Sequence, residues 1–342
     1  MSLSRQSQSL VDAIKSNNLF SVSSLVESTP ELCVSNSKVR KGDTPLHLAA
    51  RIGNLDIVTY LLNHSAVNAV NNDGKTALHE ASLEGRTKIV EVLLHHGADV
   101  NCLKAADWTP LMLAAAKSHL STVQTLLKSG ASLTQVNKDG WTAFHIAARE
   151  GDVEVLSCLL DSDEQCWSTR SKNDRTPLHS AVIHGRFEAT QLLLSPPCAY
   201  NVDTRDSCGS SPLTDSLRKG FVSIAELLIK SGASFLITNT LGRNCYHIVA
   251  ETGEVVSLQF LSQHTGNVKT YINQFDSRGT ACLHLAAKEG HGVMIEELLR
   301  LGADPLLEDS KCRTAEEVAV LCGKTDCAEK LRSWSSQINH GT

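Results

Sequence analysis

The chain lacks the short motifs that identify many enzymes and metal proteins. It contains no G-x-x-x-x-G-K-[ST] phosphate loop, no G-x-S-x-G nucleophile elbow and no H-E-x-x-H zinc motif. None of its 11 cysteines forms a C-x-x-C pair, which argues against a zinc ribbon or a thioredoxin-type site. No set of residues offers a nucleophile, a base and an orienting group. We therefore predict a protein that is not an enzyme and that uses no cofactor and no metal.

Strong net charge and long apolar runs are missing as well. The net charge is −5 without a basic stripe, which argues against direct binding of nucleic acid. The first twenty residues hold no apolar h-region. The longest apolar runs fall short of the roughly 18 residues that a membrane span needs. We expect no secretory signal, no membrane contact and reduced cysteines, hence a cytoplasmic protein with the nucleus as a second compartment.

What the chain does have is a four-residue pattern that begins as Thr44-Pro45-Leu46-His47 and returns about every 33 residues. The residues at its first position are Thr44, Thr76, Thr109, Thr142, Thr176, Ser211, Asn244, Ala281 and Thr314. A fixed period of this length indicates a stack of supersecondary units in which each unit contacts only its neighbours. Glycine-containing turns and apolar residues at helical spacing complete each unit. The pattern predicts an all-α solenoid of helix-turn-helix units joined by hairpin-like fingers.

The two ends of the array depart from the pattern. Residues 1–40 contain a helix pair without the four-residue pattern, which is typical of a degenerate N-terminal cap. Residues 41–335 hold about nine repeats, and carboxylates after Thr314 mark the last repeat as a degenerate C-terminal cap. Residues 336–342 form a polar tail. Because the period never lapses, we expect no domain boundary within the array.

Histidine recurs at the fourth position of the pattern. The histidines concerned are His47, His79, His145, His179, His247 and His284. Imidazoles in register could bind a metal, but neighbouring units lie about 10 Å apart whereas zinc ligands lie about 2 Å from the ion. We therefore predict a structural role, in which the imidazole bridges the threonine hydroxyl at the first position and the loop of the next repeat.

Two tryptophans, Trp108 and Trp141, immediately precede the pattern in consecutive repeats. A tryptophan has no core position to fill there, and exposed tryptophans are typical anchors of protein interfaces. The alternative is that each indole lies flat over its own finger and stiffens it. The same position holds solvated cations elsewhere, at Lys75, Arg175 and Arg243. The predicted partner-binding residues are Trp108, Trp141, Lys104, Lys117, Arg149 and Glu150.

The four-residue pattern, the Leu-Leu-x-x-Gly-Ala ending of the second helix and the period together resemble the ankyrin repeat family, over residues 1 to about 335. Residues 102–112, 137–152 and 286–291 resemble more closely the ankyrin repeat proteins that bind alanyl-tRNA synthetase. That resemblance implies binding to the catalytic domain of the synthetase. It also implies lysines that accept serine wrongly activated by the synthetase, so that serine is not attached to alanine tRNA.

The same resemblance implies which lysines accept serine. Lys138 lies in the matching motif, and Lys104 matches the first of two adjacent lysines, whereas Ala105 stands where the second is expected. Ser168 stands at the third position, with Lys172 nearby. The candidate acceptors are therefore Lys138, Lys104 and Lys172. The alternative function is a general scaffold that docks another protein through the same surface. In either case we expect a monomer.

Overall fold

The structure is a computed structural model that describes residues 3–34, 42–163, 165–196, 198 and 200–340. Its helices are α1 (Leu3–Lys15), α2 (Leu19–Ser28), α3 (Glu31–Val34), α4 (Pro45–Ile52), α5 (Leu55–Leu62), α6 (Ala77–Leu83), α7 (Thr87–His95), α8 (Pro110–Ala116), α9 (Leu120–Lys128), α10 (Ala143–Glu150), α11 (Val153–Ser162), α12 (Pro177–Ile183), α13 (Phe187–Leu193), α14 (Pro212–Arg218), α15 (Val222–Lys230), α16 (Cys245–Thr252), α17 (Val255–His264), α18 (Val268–Ile272), α19 (Cys282–Glu289), α20 (Gly292–Arg300), α21 (Ala315–Leu321) and α22 (Thr325–His340). Short 3₁₀ turns lie at Ala105–Asp107 and Cys166–Ser168. The predicted all-helical repeat fold is confirmed.

The first helix of a repeat begins where the sequence places a cap. In α4 the Thr44 side chain accepts a hydrogen bond from the His47 backbone N–H, and Pro45 occupies the first turn, where no N–H is needed. The helix ends at Gly53, whose φ of 104° lies in the left-handed region that glycine adopts without strain. These local signals set the length of the helix before any packing does.

Small residues let the first helices of neighbouring repeats approach closely. In α4 and α8 the pairs 49–50 and 114–115 are alanines that are completely buried. Helix α4 packs against α6, α6 against α8 and α8 against α10, while α5, α7 and α9 form the adjoining layer. Leucines, isoleucines and valines of this second layer fill the space between the layers.

The chain forms two compact units, Met1–Lys172 and Asn173–Thr342. The first contains α1 to α11, and the second contains α12 to α22. The periodicity indicated no boundary there. The four-residue pattern continues on both sides of residue 172, and the predicted array without a domain boundary stays a prediction.

Helices also form both ends of the described chain. Helix α1 packs against α2 and α4, and residues 35–41, at the end of the predicted N-terminal cap, lie outside the described part. Helix α22 packs against α20 and α21 and continues to His340, so the tail predicted at 336–342 begins as the continuation of this helix. In the described residues no helix is both long and apolar enough to cross a membrane.

Candidate protein-binding site

Main-chain hydrogen bonds shape the finger that carries Trp141. The Asn137 N–H donates to the Trp141 carbonyl oxygen at 3.0 Å, and the Trp141 N–H donates to Asn137 Oδ1 at 2.9 Å. Asn137 is buried, and its side-chain oxygen accepts the hydrogen bonds that main-chain N–H groups inside the turn would otherwise lack. The backbone beneath Trp141 is therefore fixed independently of the indole.

The finger that carries Trp108 closes differently. The Lys104 N–H donates to the Trp108 carbonyl oxygen at 3.0 Å, and a 3₁₀ turn fills the three residues between them. Ala106 and Asp107 have φ values of 65° and 59°, in the left-handed region that L-residues rarely adopt. The Ala-Ala-Asp sequence thus replaces the usual glycine-containing turn and brings Lys104 next to the tryptophan.

Histidines of the four-residue pattern hold the next finger in place. The Thr44 hydroxyl lies 2.8 Å from His47 Nδ1, and His47 Nε2 donates to the Lys75 carbonyl oxygen at 2.7 Å. His79 Nε2 donates in the same way to the Trp108 carbonyl oxygen at 3.1 Å. Burial lowers the pKa of His47 and lowers that of His79 to about 4, so both imidazoles stay neutral near pH 7. The predicted bridge is confirmed for His47 and His79. His284 keeps only the bond to the next finger, in which its Nε2 donates to the Arg313 carbonyl oxygen, because Ala281 at the first position of its repeat has no hydroxyl.

Among the described residues no cluster of three His, Cys, Asp or Glu side chains is arranged to hold a metal ion. The imidazoles are instead occupied by main-chain and hydroxyl partners.

Main-chain hydrogen bonds also join the tips of consecutive fingers in the first unit. The Ala105 N–H donates to the Asp73 carbonyl oxygen at 2.9 Å. The Lys138 N–H donates to the Ala106 carbonyl oxygen and the Lys172 N–H to that of Asp139, both at 3.0 Å. We call residues 104–108, 137–141 and 172 the finger edge. All three predicted serine acceptors lie on it: the Lys138 and Lys172 side chains are exposed, and Lys104 is half-buried.

Both tryptophans of the finger edge are half-buried. The Lys104 ammonium lies 5.4 Å from the centroid of the Trp108 ring, and the Arg149 guanidinium carbon lies 5.5 Å from that of Trp141. The His145 ring is stacked with Trp141 at a centroid distance of 6.3 Å. Each indole therefore has one part in solvent and another against a cation of its own chain, so features of both sequence interpretations occur together.

Not all predicted partner-binding residues lie together. Arg149 bridges Trp141 and Glu150, since its Nη2 lies 2.5 Å from Glu150 Oε1. Lys117 caps the far end of α8, about 10 Å along the helix axis from its first turn, and it is exposed there. Ser168 is exposed in the 3₁₀ turn after α11 and does not lie at a finger tip.

The cations that precede the pattern in other repeats form ion pairs, which the sequence interpretation did not include; Lys75 and Arg175 stay partly exposed to solvent, whereas Arg243 is buried. Lys75 Nζ lies 3.1 Å from Glu80 Oε1. Arg175 pairs with Asp206 at 3.2 Å, and Arg243, which is buried, pairs with Asp276 at 2.9 Å. The acidic partners of the two arginines stand five residues before the next repeat of the pattern, about 30 residues away in sequence, so only the stacking of repeats brings the charges together.

Comparisons with known proteins match most of the chain to repeats of one kind. A family model described as "Ankyrin repeats (3 copies)" matches residues 10–104, 164–239 and 218–309, and one described as "Ankyrin repeats (many copies)" matches residues 111–160.

Individual relatives match over shorter stretches. Rabankyrin-5 of Mus musculus is 30% identical over 131 residues, which are 38% of this chain and 11% of that protein. The probable 26S proteasome regulatory subunit p28 of Saccharomyces cerevisiae is 30% identical over 148 residues, 42% of this chain and 63% of that subunit. The chain thus spans less than two thirds of the length of either relative. With the repeat geometry described above and family models that match more than half of its residues, the chain belongs to the ankyrin repeat family.

Proposed function

We propose that this ankyrin repeat protein binds the catalytic domain of alanyl-tRNA synthetase through the finger edge and captures misactivated serine on its own lysines. Ankyrin repeats are protein-interaction scaffolds, and the specific partner follows from the likeness of residues 102–112 and 137–152 to ankyrin repeat domain-containing protein 16. The observation that carries the proposal is the joining of three lysine-bearing fingers, beside two half-buried tryptophans, by main-chain hydrogen bonds.

The tryptophans supply the binding energy in this proposal. A half-buried indole already held by a cation of its own chain loses little conformational freedom on binding, because its rotamer is restricted beforehand. Tryptophan is also among the residues that contribute most to protein interfaces. Arg149 and Lys104 lie beside the rings, and in the complex they bind carboxylate or carbonyl groups of the partner at the solvent-exposed margin of the interface.

The lysines supply the chemistry. The neutral Nζ of a lysine attacks the carbonyl carbon of seryl-adenylate, a carbon–nitrogen bond forms, and the bond from that carbon to the phosphate oxygen breaks. AMP leaves with the electron pair of the broken bond, and the amine proton passes to water. Serine ends as an amide on lysine and cannot reach tRNA. Each lysine is consumed, so the capture is stoichiometric.

The acceptors differ in their surroundings. Burial, assisted by the nearby Lys75, lowers the pKa of the Lys104 ammonium, which enlarges its neutral, nucleophilic fraction at a given pH. Lys138 lies in the stretch that carries the resemblance and is exposed. Lys172 extends the finger edge by one finger, and Ser168, which has no amine, cannot accept serine in the same way.

Capture is tested by incubating the full chain with alanyl-tRNA synthetase, ATP and serine and mapping seryl-lysine by peptide mass spectrometry. We expect the adduct at Lys138, with Lys104 and Lys172 as further sites. Lys128, exposed at the end of α9 and away from the fingers, serves as the internal control and should stay unmodified. A Lys138→Arg variant should still bind the synthetase without forming that adduct. Unmodified lysines along the whole finger edge would refute the capture mechanism.

The alternative function is a scaffold that docks a different protein through the same finger edge. Co-purification with the synthetase separates the two possibilities. A folded Trp108→Ala, Trp141→Ala double variant should lose the synthetase, whereas Trp167→Ala, which alters a half-buried tryptophan outside the finger edge, should retain it. If the wild-type chain does not retain the synthetase at all, the scaffold function with another partner is favoured.

A further inference from the structure

The second unit contains an open groove between its first helices and its fingers. The groove crosses three consecutive repeats, those whose four-residue patterns begin at Thr176, Ser211 and Asn244, and its volume is about 590 Å³. Residues of α12, α14 and α16 line one wall, and residues of the fingers line the other. All of the lining residues belong to the second unit, so a ligand bound in the groove would contact none of the finger edge.

The groove presents cations to solvent. Lys219 is exposed and forms no ion pair with any described residue. The Arg218 side chain is 37% exposed, and that of Arg175 is 35% exposed. Arg218 Nε is buried, and its Nη2 donates to Ser210 Oγ at 3.3 Å, so the terminal Nη groups are the part of this guanidinium that a ligand can contact.

The carboxylates that line the groove are buried or paired. The Asp206 and Asp215 side chains are only 2% and 5% exposed, and Asp215 Oδ2 has no hydrogen-bond partner among the described residues. Glu251 is 31% exposed, but its Oε1 accepts from Arg243 Nη1 at 2.7 Å. Arg218 Nε comes only to 3.9 Å from Asp215 Oδ1, so this cation is not neutralised at contact distance. A group entering from solvent therefore meets positive charge before it meets a carboxylate.

Apolar side chains lie on either side of these cations. Ile183 ends α12 in the repeat before Arg218 and Lys219, and Leu241 lies in the finger of the repeat after them. Both are half-buried. Neighbouring repeats lie about 10 Å apart, and an extended chain advances about 3.3 Å per residue, so about three residues correspond to one repeat. An extended segment of about seven residues can thus reach both apolar side chains and the cations between them.

We infer that this groove binds an extended acidic segment of a partner protein, in which a glutamate or aspartate carboxylate is held by Arg218 and Lys219. Apolar residues about three positions away pack against Ile183 and Leu241. The guanidinium Nη–H groups and the ammonium donate charge-assisted hydrogen bonds to the carboxylate oxygens. A basic segment would be repelled, and a wholly apolar one would remove water from two cations without replacing it.

This surface is separate from the finger edge, and its test requires no synthetase. A random peptide library displayed on phage is selected on the full chain, after removal of the peptides that bind an Arg218→Gln, Lys219→Gln double variant. We expect the retained peptides to share a glutamate or aspartate with an apolar residue about three positions away. The affinity of one selected peptide, made synthetically, is measured by fluorescence anisotropy. Replacing its acidic residue with the corresponding amide should weaken binding about tenfold.

Matched variants locate the effect in the groove. A Lys269→Gln, Lys311→Gln double variant removes the same charge from exposed positions of the second unit outside the groove, and it should bind the peptide unchanged. Lys219→Gln alters an exposed side chain and should weaken binding about threefold. Circular dichroism confirms that each variant is folded.

Asp215→Asn provides a test that loss of structure cannot imitate. Burial raises the pKa of Asp215 to about 6, so its carboxylate is ionised at pH 7.5 and opposes a second negative charge at Arg218. Removing this charge should strengthen the acidic peptide about fivefold at pH 7.5 and leave its amide analogue unchanged.

Several results would overturn the inference. The retained peptides could lack an acidic residue, or the library could yield no peptide whose binding depends on Arg218 and Lys219. Unchanged affinity in the Asp215→Asn variant would show that the bound carboxylate lies elsewhere. Inorganic phosphate could displace the peptide at equal concentration, and the assignment to a protein side chain would then be wrong.

Discussion

Replacing Asp215 with asparagine should stabilise the folded chain, and the gain should grow as the pH rises. The substitution keeps the shape of the side chain and removes its ionisation. In the folded chain burial raises the pKa of Asp215 from 3.8 to about 6, because the carboxylate has lost water without gaining a close cation. The unfolded chain keeps the ordinary value, so ionisation favours the unfolded state.

The pH window follows from these two values. Below about pH 4 the carboxyl is protonated in both states, and it costs nothing. Between pH 4 and 6 the unfolded state loses its proton first, so the wild-type chain loses stability as the pH rises. Above pH 6 the cost is constant. It amounts to about 3 kcal/mol at pH 7.5 and to about 1 kcal/mol at pH 4.5, from 1.36 kcal/mol per unit of pKa.

The assay is urea unfolding of the wild-type chain and the Asp215→Asn variant at pH 4.5 and pH 7.5, followed by circular dichroism. The stabilisation should be about 2 kcal/mol larger at pH 7.5. Glu80→Gln is the matched control of opposite sign, because Arg51 and Lys75 lower the pKa of that carboxylate in the folded state. Glu80→Gln should destabilise the chain, and more so at neutral than at acid pH.

An Asp215→Asn gain that does not change with pH would show that the carboxylate is not ionised unfavourably in the folded state. A loss of stability at pH 7.5 would mean that the Asp215 carboxylate has partners that the described structure does not contain.

Three further predictions concern the backbone of the fingers, a buried histidine and the reactivity of the cysteines. Gly140→Ala should cost more than the about 1 kcal/mol expected for a left-handed residue alone, because the new Cβ would lie 2.6 Å from the main-chain nitrogen of the next finger. Gly130→Ala is the control, because Gly130 has a φ of +85° and no described atom lies within 4 Å of the new Cβ, so this variant should lose only about 1 kcal/mol. Equal urea midpoints for the two variants would contradict the expected difference in stability. His79→Met should cost about 1 kcal/mol, because it removes one of the two donors to the Trp108 carbonyl oxygen and leaves the Lys104 N–H as the other, and amide exchange should rise first in the finger that His79 holds. Maleimide should label exposed Cys208 well before Cys282, whose pKa burial raises, and similar rates by peptide mass spectrometry would refute this order.

Local chemistry made much of this fold predictable from the sequence. The start of α4 follows from Thr44 and Pro45 alone, and the role of His47 follows from its spacing to the threonine. Such signals involve atoms within one turn of the chain. The same signals recur in each repeat, so the period predicts the stack.

What depends on contacts between repeats was not predictable in this way. Arg243 looked like a solvated residue because its partner Asp276 is 33 residues away in sequence. The unpaired state of Asp215 becomes visible only when the neighbouring finger and helix are in place. The 3₁₀ turn beneath Trp108 uses Ala106 and Asp107 in a conformation that neither residue type favours. No composition rule identifies such positions.

The main-chain bonds between consecutive fingers have a consequence for how this protein family diversifies. Main-chain N–H and carbonyl groups join the tips of consecutive fingers. Replacing an exposed side chain at a tip therefore leaves the spacing between the fingers unchanged. The alanine at 105 and the lysine at 138 can therefore stand on the same framework while offering a partner different chemistry. Exposed side chains of the finger edge can therefore change what this protein recognises, whereas Asn137 and Gly140, on which the turn and the next finger depend, cannot change without a cost to folding.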